Sequence, residues 1–132
     1  MNAEKNDIIE LTLPINAAYV SAARLTASSV SNRLGFDIDE IEDIKAAVSE
    51  ACTYIVKYYS SKNEKNFCIK IHISKKQIDI SLTVDAAIKL PHEEDDMGIC
   101  MIKALVDDFK IDYDENNYLE ISMLKKHNTS SL

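Results

Sequence analysis

Six side chains in this sequence have the sulfur or imidazole chemistry that metal sites use: Cys52, Cys68, Cys100, His72, His92 and His127. Protein metal sites draw such ligands in closely spaced pairs, as in C-x-x-C. Here the six are scattered singly, so no metal centre is expected. Phosphate-cradling loops need glycine where the backbone approaches a ligand closely. The chain has only two glycines, Gly35 and Gly98, so no glycine-rich loop is hidden in it. Gly98 closely follows an acidic run, Glu93, Glu94, Asp95 and Asp96.

Charge narrows the partners. With 22 acidic against 15 basic residues the formal net charge is -7. Phosphate backbones and anionic membrane surfaces attract clustered Lys and Arg, a density this chain lacks. Direct nucleic-acid and membrane contact is not expected, and a protein with a basic patch fits better. Unpaired thiols and the lack of a signal-like N-terminus point to the cytoplasm. No apolar run approaches the ~18 residues of a membrane span. A length of 132 residues suits one domain, able to bury roughly two-thirds of its unfolded surface without disulfide or metal.

The elements that must position any site follow from periodicity. Ile9, Leu11 and Leu13 alternate with polar residues and predict a strand ended by Pro14, with Asn16 as N-cap of the next element. A helix is expected from Ala17 to Leu34, with Ala18, Ala22, Leu25 and Ser29 on its inner face, stopped by Gly35. Asp39 and Glu42 have capping-box spacing for a second helix reaching Tyr58 or Tyr59, whose stripe is Ile41, Ile44, Val48, Ala51 and Ile55. Ser60 to Asn66 reads as a loop. Two alternating runs, Phe67 to Ile73 and Ile78 to Val84, form a hairpin across Lys75-Lys76. After an irregular stretch from Ala86 to Asp96, a short helix carries Ile99, Ile102 and Val106. A second hairpin joins Phe109 to Tyr113 and Leu119 to Met123. Helices must cover the apolar sheet face, which gives an α+β two-layer sandwich of a mixed, mostly antiparallel sheet. One domain over 1–124 and a loose polar tail over 125–132 are expected.

The second helix carries Val48-Ser49-Glu50-Ala51-Cys52-Thr53-Tyr54, which resembles the N-box helix of GHKL (histidine-kinase-like) ATPases. It resembles in particular the anti-sigma-factor serine kinases of the RsbW and SpoIIAB type. The likeness covers nearly the whole chain: Arg24-Leu25-Thr26, Asp39 to Thr53, Met97-Gly98, Val106-Asp107-Asp108 and Leu124 to His127. It implies the Bergerat-type ATPase fold, a sigma factor held inactive, and ATP-dependent phosphorylation of a serine on an anti-anti-sigma antagonist. A homodimer through the sheet edge and first helix is also implied.

The resemblance assigns roles residue by residue. Glu50 matches the glutamate that accepts a proton from the attacking hydroxyl. Tyr54 stands where the family has an asparagine that coordinates Mg²⁺, and a neutral phenol is a poor ligand for it. Asp85 matches the aspartate that holds the adenine amino group, but Ala86, Ala87, Ile88 and Lys89 follow where two glycines belong. Gly98 is what remains of the phosphate-cradling turn. The lid is short and ends in four carboxylates, each repelling a polyphosphate by roughly 1 kcal/mol or more at ~4 Å. Arg24 matches an arginine on the partner-binding surface.

Each position has an ordinary alternative. Glu50 is also a plain polar residue at the edge of a buried stripe. Tyr54 lies on the stripe with Ala47, Ala51 and Tyr58 and reads as a boundary aromatic filling a vacated pocket. Asp85 ends a strand, where aspartate is common. Arg24 is also a solvated surface side chain; Asp107 and Asp108 read as a solvated helix end, and His72 as exposed. The expectation is a pseudo-kinase acting by protein–protein binding, with no cofactor. The alternative is an active ATP- and Mg-dependent serine kinase.

Overall fold

The structure, a computed structural model, describes residues 6–60, 66–85 and 96–128. Its strands are β1 (Asp7–Pro14), β2 (Asn66–Ser74), β3 (Gln77–Asp85), β4 (Asp108–Tyr113) and β5 (Tyr118–Lys126). Its helices are α1 (Val20–Arg33), α2 (Ile38–Tyr59) and α3 (Met97–Leu105). The strands lie in the order β1-β2-β3-β5-β4. All four pairings are antiparallel, so the mixed sheet expected from the sequence has no parallel pair among the described residues.

Alternation along each strand turns the sheet into two unlike faces. Leu11, Ile69, Leu82, Ile121 and Ile111 form one row across all five strands, facing the helices. Ile69, Leu82 and Ile121 in that row are essentially inaccessible to solvent. On the opposite face Glu10, Lys70, Ser81, Ser122 and Lys110 form another row, with a surface ion pair between Glu10 and Lys70. A register slip of one residue would exchange these faces, so burial itself pins the pairing. Turns complete it. Lys76 takes a positive φ of 62° between β2 and β3, and Asn117 one of 66° between β4 and β5. In the second turn the Asp114 carboxylate accepts from the Asn116 and Tyr118 N–H groups.

α2 is the central helix of the covering layer and packs on α1, α3 and the sheet. Ile44, Val48, Ala51 and Ile55 are fully buried, as their spacing predicts. Its start differs from expectation. The capping box is Asp37 with Glu40, not Asp39 with Glu42: Asp37 Oδ1 accepts from Glu40 N–H at 2.8 Å and Glu40 Oε1 from Asp37 N–H at 2.9 Å. Asp37 is extended, at φ -79° and ψ 172°, which is the cap geometry, whereas Asp39 already lies inside the first turn.

α1 also corrects the expectation. Asn16 caps a short 3-10 turn, Ala17–Tyr19, and the α-helix proper begins at Val20. Its inner face is Ala23, Ala27, Val30 and Ser31, while Leu25 is 62% exposed. Small side chains four residues apart let α1 and α2 approach closely, and Ser31 satisfies its hydroxyl on the Ala27 and Ser28 carbonyls. Gly35 does end the helix region with φ +85°.

β5 runs to Lys126, past the boundary expected at Leu124. His127 and Asn128 are then fastened to the N-terminus of α2. Glu40 Oε1 pairs with His127 Nδ1 and Glu40 Oε2 accepts from Asn128 N–H, each at 2.7 Å. The His127 ring stacks on Phe36 with centroids 5.2 Å apart. Burial disfavours the Glu40 charge, but the hydrogen bonds from Asn128, Asp37 and His127 outweigh it and hold the carboxyl below its usual range. Asp107 is likewise engaged rather than merely solvated, accepting from Lys126 N–H at 2.7 Å.

Candidate functional site

Glu50, Tyr54 and Lys57 recur at helical spacing and present one face of α2 to the first turn of α3. With Thr53, Asp96, Met97 and Gly98 they line a cavity of about 120 Å³. Sites for drug-sized ligands run to roughly 300–1,000 Å³. The cavity among the described residues is smaller than that range.

Gly98 faces Glu50 across the α2–α3 seam. A Cβ at this position would lie 2.8 Å from Glu50 Oε1 and 3.1 Å from Asp96 Oδ1. A side chain here would push the end of the flexible Glu50 side chain aside and crowd the Asp96 carboxylate. The half-buried Glu50 carboxylate thus rests against the α3 backbone.

Asp96 is the N-cap of α3. Its Oδ1 accepts from Ile99 N–H at 3.2 Å. Its Oδ2 accepts from Tyr58 Oη at 3.0 Å and from Lys57 Nζ at 3.3 Å. The side chain is only 8% exposed, so this ion pair is shielded on the acidic side. Burial works against the charge, but the Ile99, Tyr58 and Lys57 contacts prevail and keep the Asp96 carboxyl below its ordinary value. The positive end of the helix, the general place for an anion, is occupied by a carboxylate of the chain itself.

Tyr54 is 5% exposed and packs against the Tyr58 ring, with centroids 4.6 Å apart. Its ring is packed within the helix layer and reaches the cavity wall. Among the described residues, no group of three or more His, Cys, Asp or Glu side chains is placed to hold a metal.

The site residues expected from the sequence do not all meet. Glu50, Tyr54 and Gly98 share the cavity, while Asp85 and Arg24 are not in its lining. Asp85, half-buried, ends β3 opposite Tyr118 of β5. Ala86 to Lys89 and Glu93 to Asp95 lie outside the described residues. Arg24 is half-buried and donates to Ser49 Oγ at 3.4 Å, tying α1 to α2 one residue before Glu50. Lys57 was not singled out in the sequence, and Tyr58 only as a residue of the helix stripe. Their partner Asp96 lies 38 or 39 residues away, so no local signal joins them. The capping role of Asp96 did have a signal, an aspartate immediately before an apolar helix.

Residues 13–125 match the histidine kinase-like ATPase domain. The chain belongs to that family. Among its relatives in the family is the serine-protein kinase RsbW of Bacillus thuringiensis (strain Al Hakam), 32% identical over 85% of this chain and 81% of that protein. RsbW of Bacillus anthracis matches with the same identity and coverage. The fold recurs in the RsbU and RsbW domains of a Mycobacterium tuberculosis protein, with a TM-score of 0.73 over 91% of this chain at 16% identity. The chain spans 32% of that longer one. As a histidine kinase-like ATPase domain of RsbW type, it presents Glu50 and Tyr54 on the cavity-facing side of α2.

Proposed function

We propose that this chain is a partner-switching regulator of the anti-sigma type that works by protein–protein binding, with ATP binding lost or weak. The observation that carries the reading is Asp96, whose carboxylate caps the α3 N-terminus and pairs with Lys57, so that the chain's own negative charge stands at a helix end that would otherwise attract an anion. The buried Tyr54 supports it. Tyr54 in place of a metal-ligating side chain and the Asp96 carboxylate at the α3 N-terminus weigh against ATP and Mg²⁺ here. The partner is a sigma factor or an anti-anti-sigma-type antagonist. The net charge of -7 favours a partner with a basic docking patch. Titration calorimetry with Mg-ATP should give no saturable heat at millimolar nucleotide, and saturation in the micromolar range would overturn the reading.

A homodimer belongs to the same proposal. β1 is an edge strand whose Ile8 is 56% exposed, and Leu25 on α1 is 62% exposed. Light scattering on the purified chain should give twice the 14.9 kDa chain mass.

A second reading, an active serine kinase acting in the cytoplasm, is favoured by Glu50, which remains beside the cavity as a candidate proton acceptor. Labelled ATP and an antagonist protein would then yield phosphoserine, lost in Glu50→Gln. Absence of transfer across Mg²⁺ and Mn²⁺ ends that reading.

A further inference from the structure

We propose that Met97, Cys100 and Met101, on the outer face of α3, form a soft-metal site that binds Cu(I) through two thioethers and one thiolate. The inference goes beyond the partner-binding reading and uses neither Asp96, Lys57 nor Tyr54.

Placement carries it first. α3 turns Ile99 and Ile102 inward, where both are buried, and packs on α2. On its other side Met97 is 76% exposed, Met101 is 42% exposed and Cys100 is exposed as well. Positions three and four apart are neighbours on a helix surface, with Cβ atoms roughly 5–6 Å apart, so Met97 stands beside both Cys100 and Met101. Helix side chains lean toward the N-terminus, which lays Cys100 and Met101 over the turn that begins with Met97. Methionine has three rotatable bonds, so the two thioethers can close on a metal at the thiol.

Exposure is the second observation. Methionine ordinarily fills gaps in a core, as Met123 does at 3% exposure. Met97 and Met101 belong neither to the core nor to the half-buried residues packed against it. Packing therefore does not account for two solvent-facing thioethers beside a solvent-facing thiol.

The donor set decides the metal. Thiolate and thioether sulfur are soft ligands that suit Cu(I), whereas Mg²⁺ and Ca²⁺ take oxygen. Counted by Cys and His alone the site does not exist, because two of its three donors are methionines. On binding, the Cys100 thiol gives its proton to water as the S–Cu bond forms, and the metal stays Cu(I) with no electron transferred. The thiolate charge then balances the metal charge, so no carboxylate is required.

The test is an oxygen-free titration of the reduced full chain with Cu(I), in competition with a chromophoric chelator, following the methyl resonances of Met97 and Met101. One equivalent should bind and shift both signals. Leucine has nearly the volume of methionine, so Met97→Leu and Met101→Leu keep the surface intact, as the thermal transition verifies. Each of them, and Cys100→Ser, should weaken binding roughly tenfold or more, since loss even of a group that only supports a metal ligand costs about that much. Cys68→Ser, which alters a thiol on β2, should leave both methyl shifts unchanged.

Methionine signals that Cu(I) does not move, or leucine variants that bind as tightly as the wild type, overturn the site and leave a bare thiol. Methyl shifts that persist at full affinity in Cys100→Ser overturn the thiolate and with it the donor set. Zn²⁺ binding at the same methyls as tightly as Cu(I) overturns the soft-metal assignment. All of these results are independent of the Mg-ATP titration that tests the partner-binding reading.

Discussion

Tyr54 and Asp96 act together at the residue scale, and that makes single reversions uninformative in a predictable way. Tyr54→Asn supplies the amide expected of the family but leaves Asp96 and Lys57 paired, so Mg-ATP binding should stay undetectable by calorimetry. The substitution removes a ring that is 95% buried against Tyr58, opening a cavity in the α2–α3 seam. Large-to-small changes of this kind cost about 2–4 kcal/mol, to be read from urea unfolding. Were Tyr54→Asn alone to bind Mg-ATP tightly, the Asp96–Lys57 pair would not be the barrier. His127→Ala tests the other buried carboxylate. Glu40 would lose one of its three donors and Phe36 its stacking partner, a cost of about 1–2 kcal/mol in the same measurement.

At the scale of elements, the start of α2 carries more than a helix. Asp37 caps it, Glu40 completes the box, and the same Glu40 side chain fastens the end of β5 through His127 and Asn128. Asp37→Ala should therefore cost about 1 kcal/mol for the cap and lower the thermal midpoint by several degrees, by calorimetry. The pH dependence follows from the two depressed carboxyls. Glu40 and Asp96 have folded pKa values below their ordinary 4.5 and 3.8. Depressed carboxyls bind protons more readily in the unfolded chain, so their contribution is complete above those ordinary values. It is lost as pH falls through the lower folded values. Urea midpoints should thus be flat near neutrality and decline below about pH 4.5, with a shallower decline in Asp96→Asn. An equally steep decline in that variant would exclude Asp96 as a contributor.

On the scale of the whole molecule, the sheet and α2 share one core, and Leu82 lies at its centre with no exposed surface. Leu82→Ala should cost about 2–5 kcal/mol and unfold cooperatively by both circular dichroism and fluorescence. Much of this architecture was legible beforehand. The strand runs from Phe67 to Val84 alternate so cleanly that burial on one face is the only economical arrangement, and the fully buried stripe of α2 repeats at helical spacing. The inner face of α1 was not legible, because Ala, Ser and Thr differ too little in apolarity for periodicity to choose a side. That choice was made by closeness of packing, which favours Ala23, Ala27 and Ser31 over the larger Leu25. The site divides in the same way. Sequence by itself determined the family, the retained Glu50, the tyrosine at position 54 and the scarcity of glycine, since each is a matter of residue type at a given spacing. Only the tertiary structure decided that Asp96 reaches Lys57 and Tyr58, and that Gly98 lies against Glu50. Those contacts join residues 38 to 48 positions apart in the chain, and their pairing depends on how α3 docks on α2, a geometry set by the shared core.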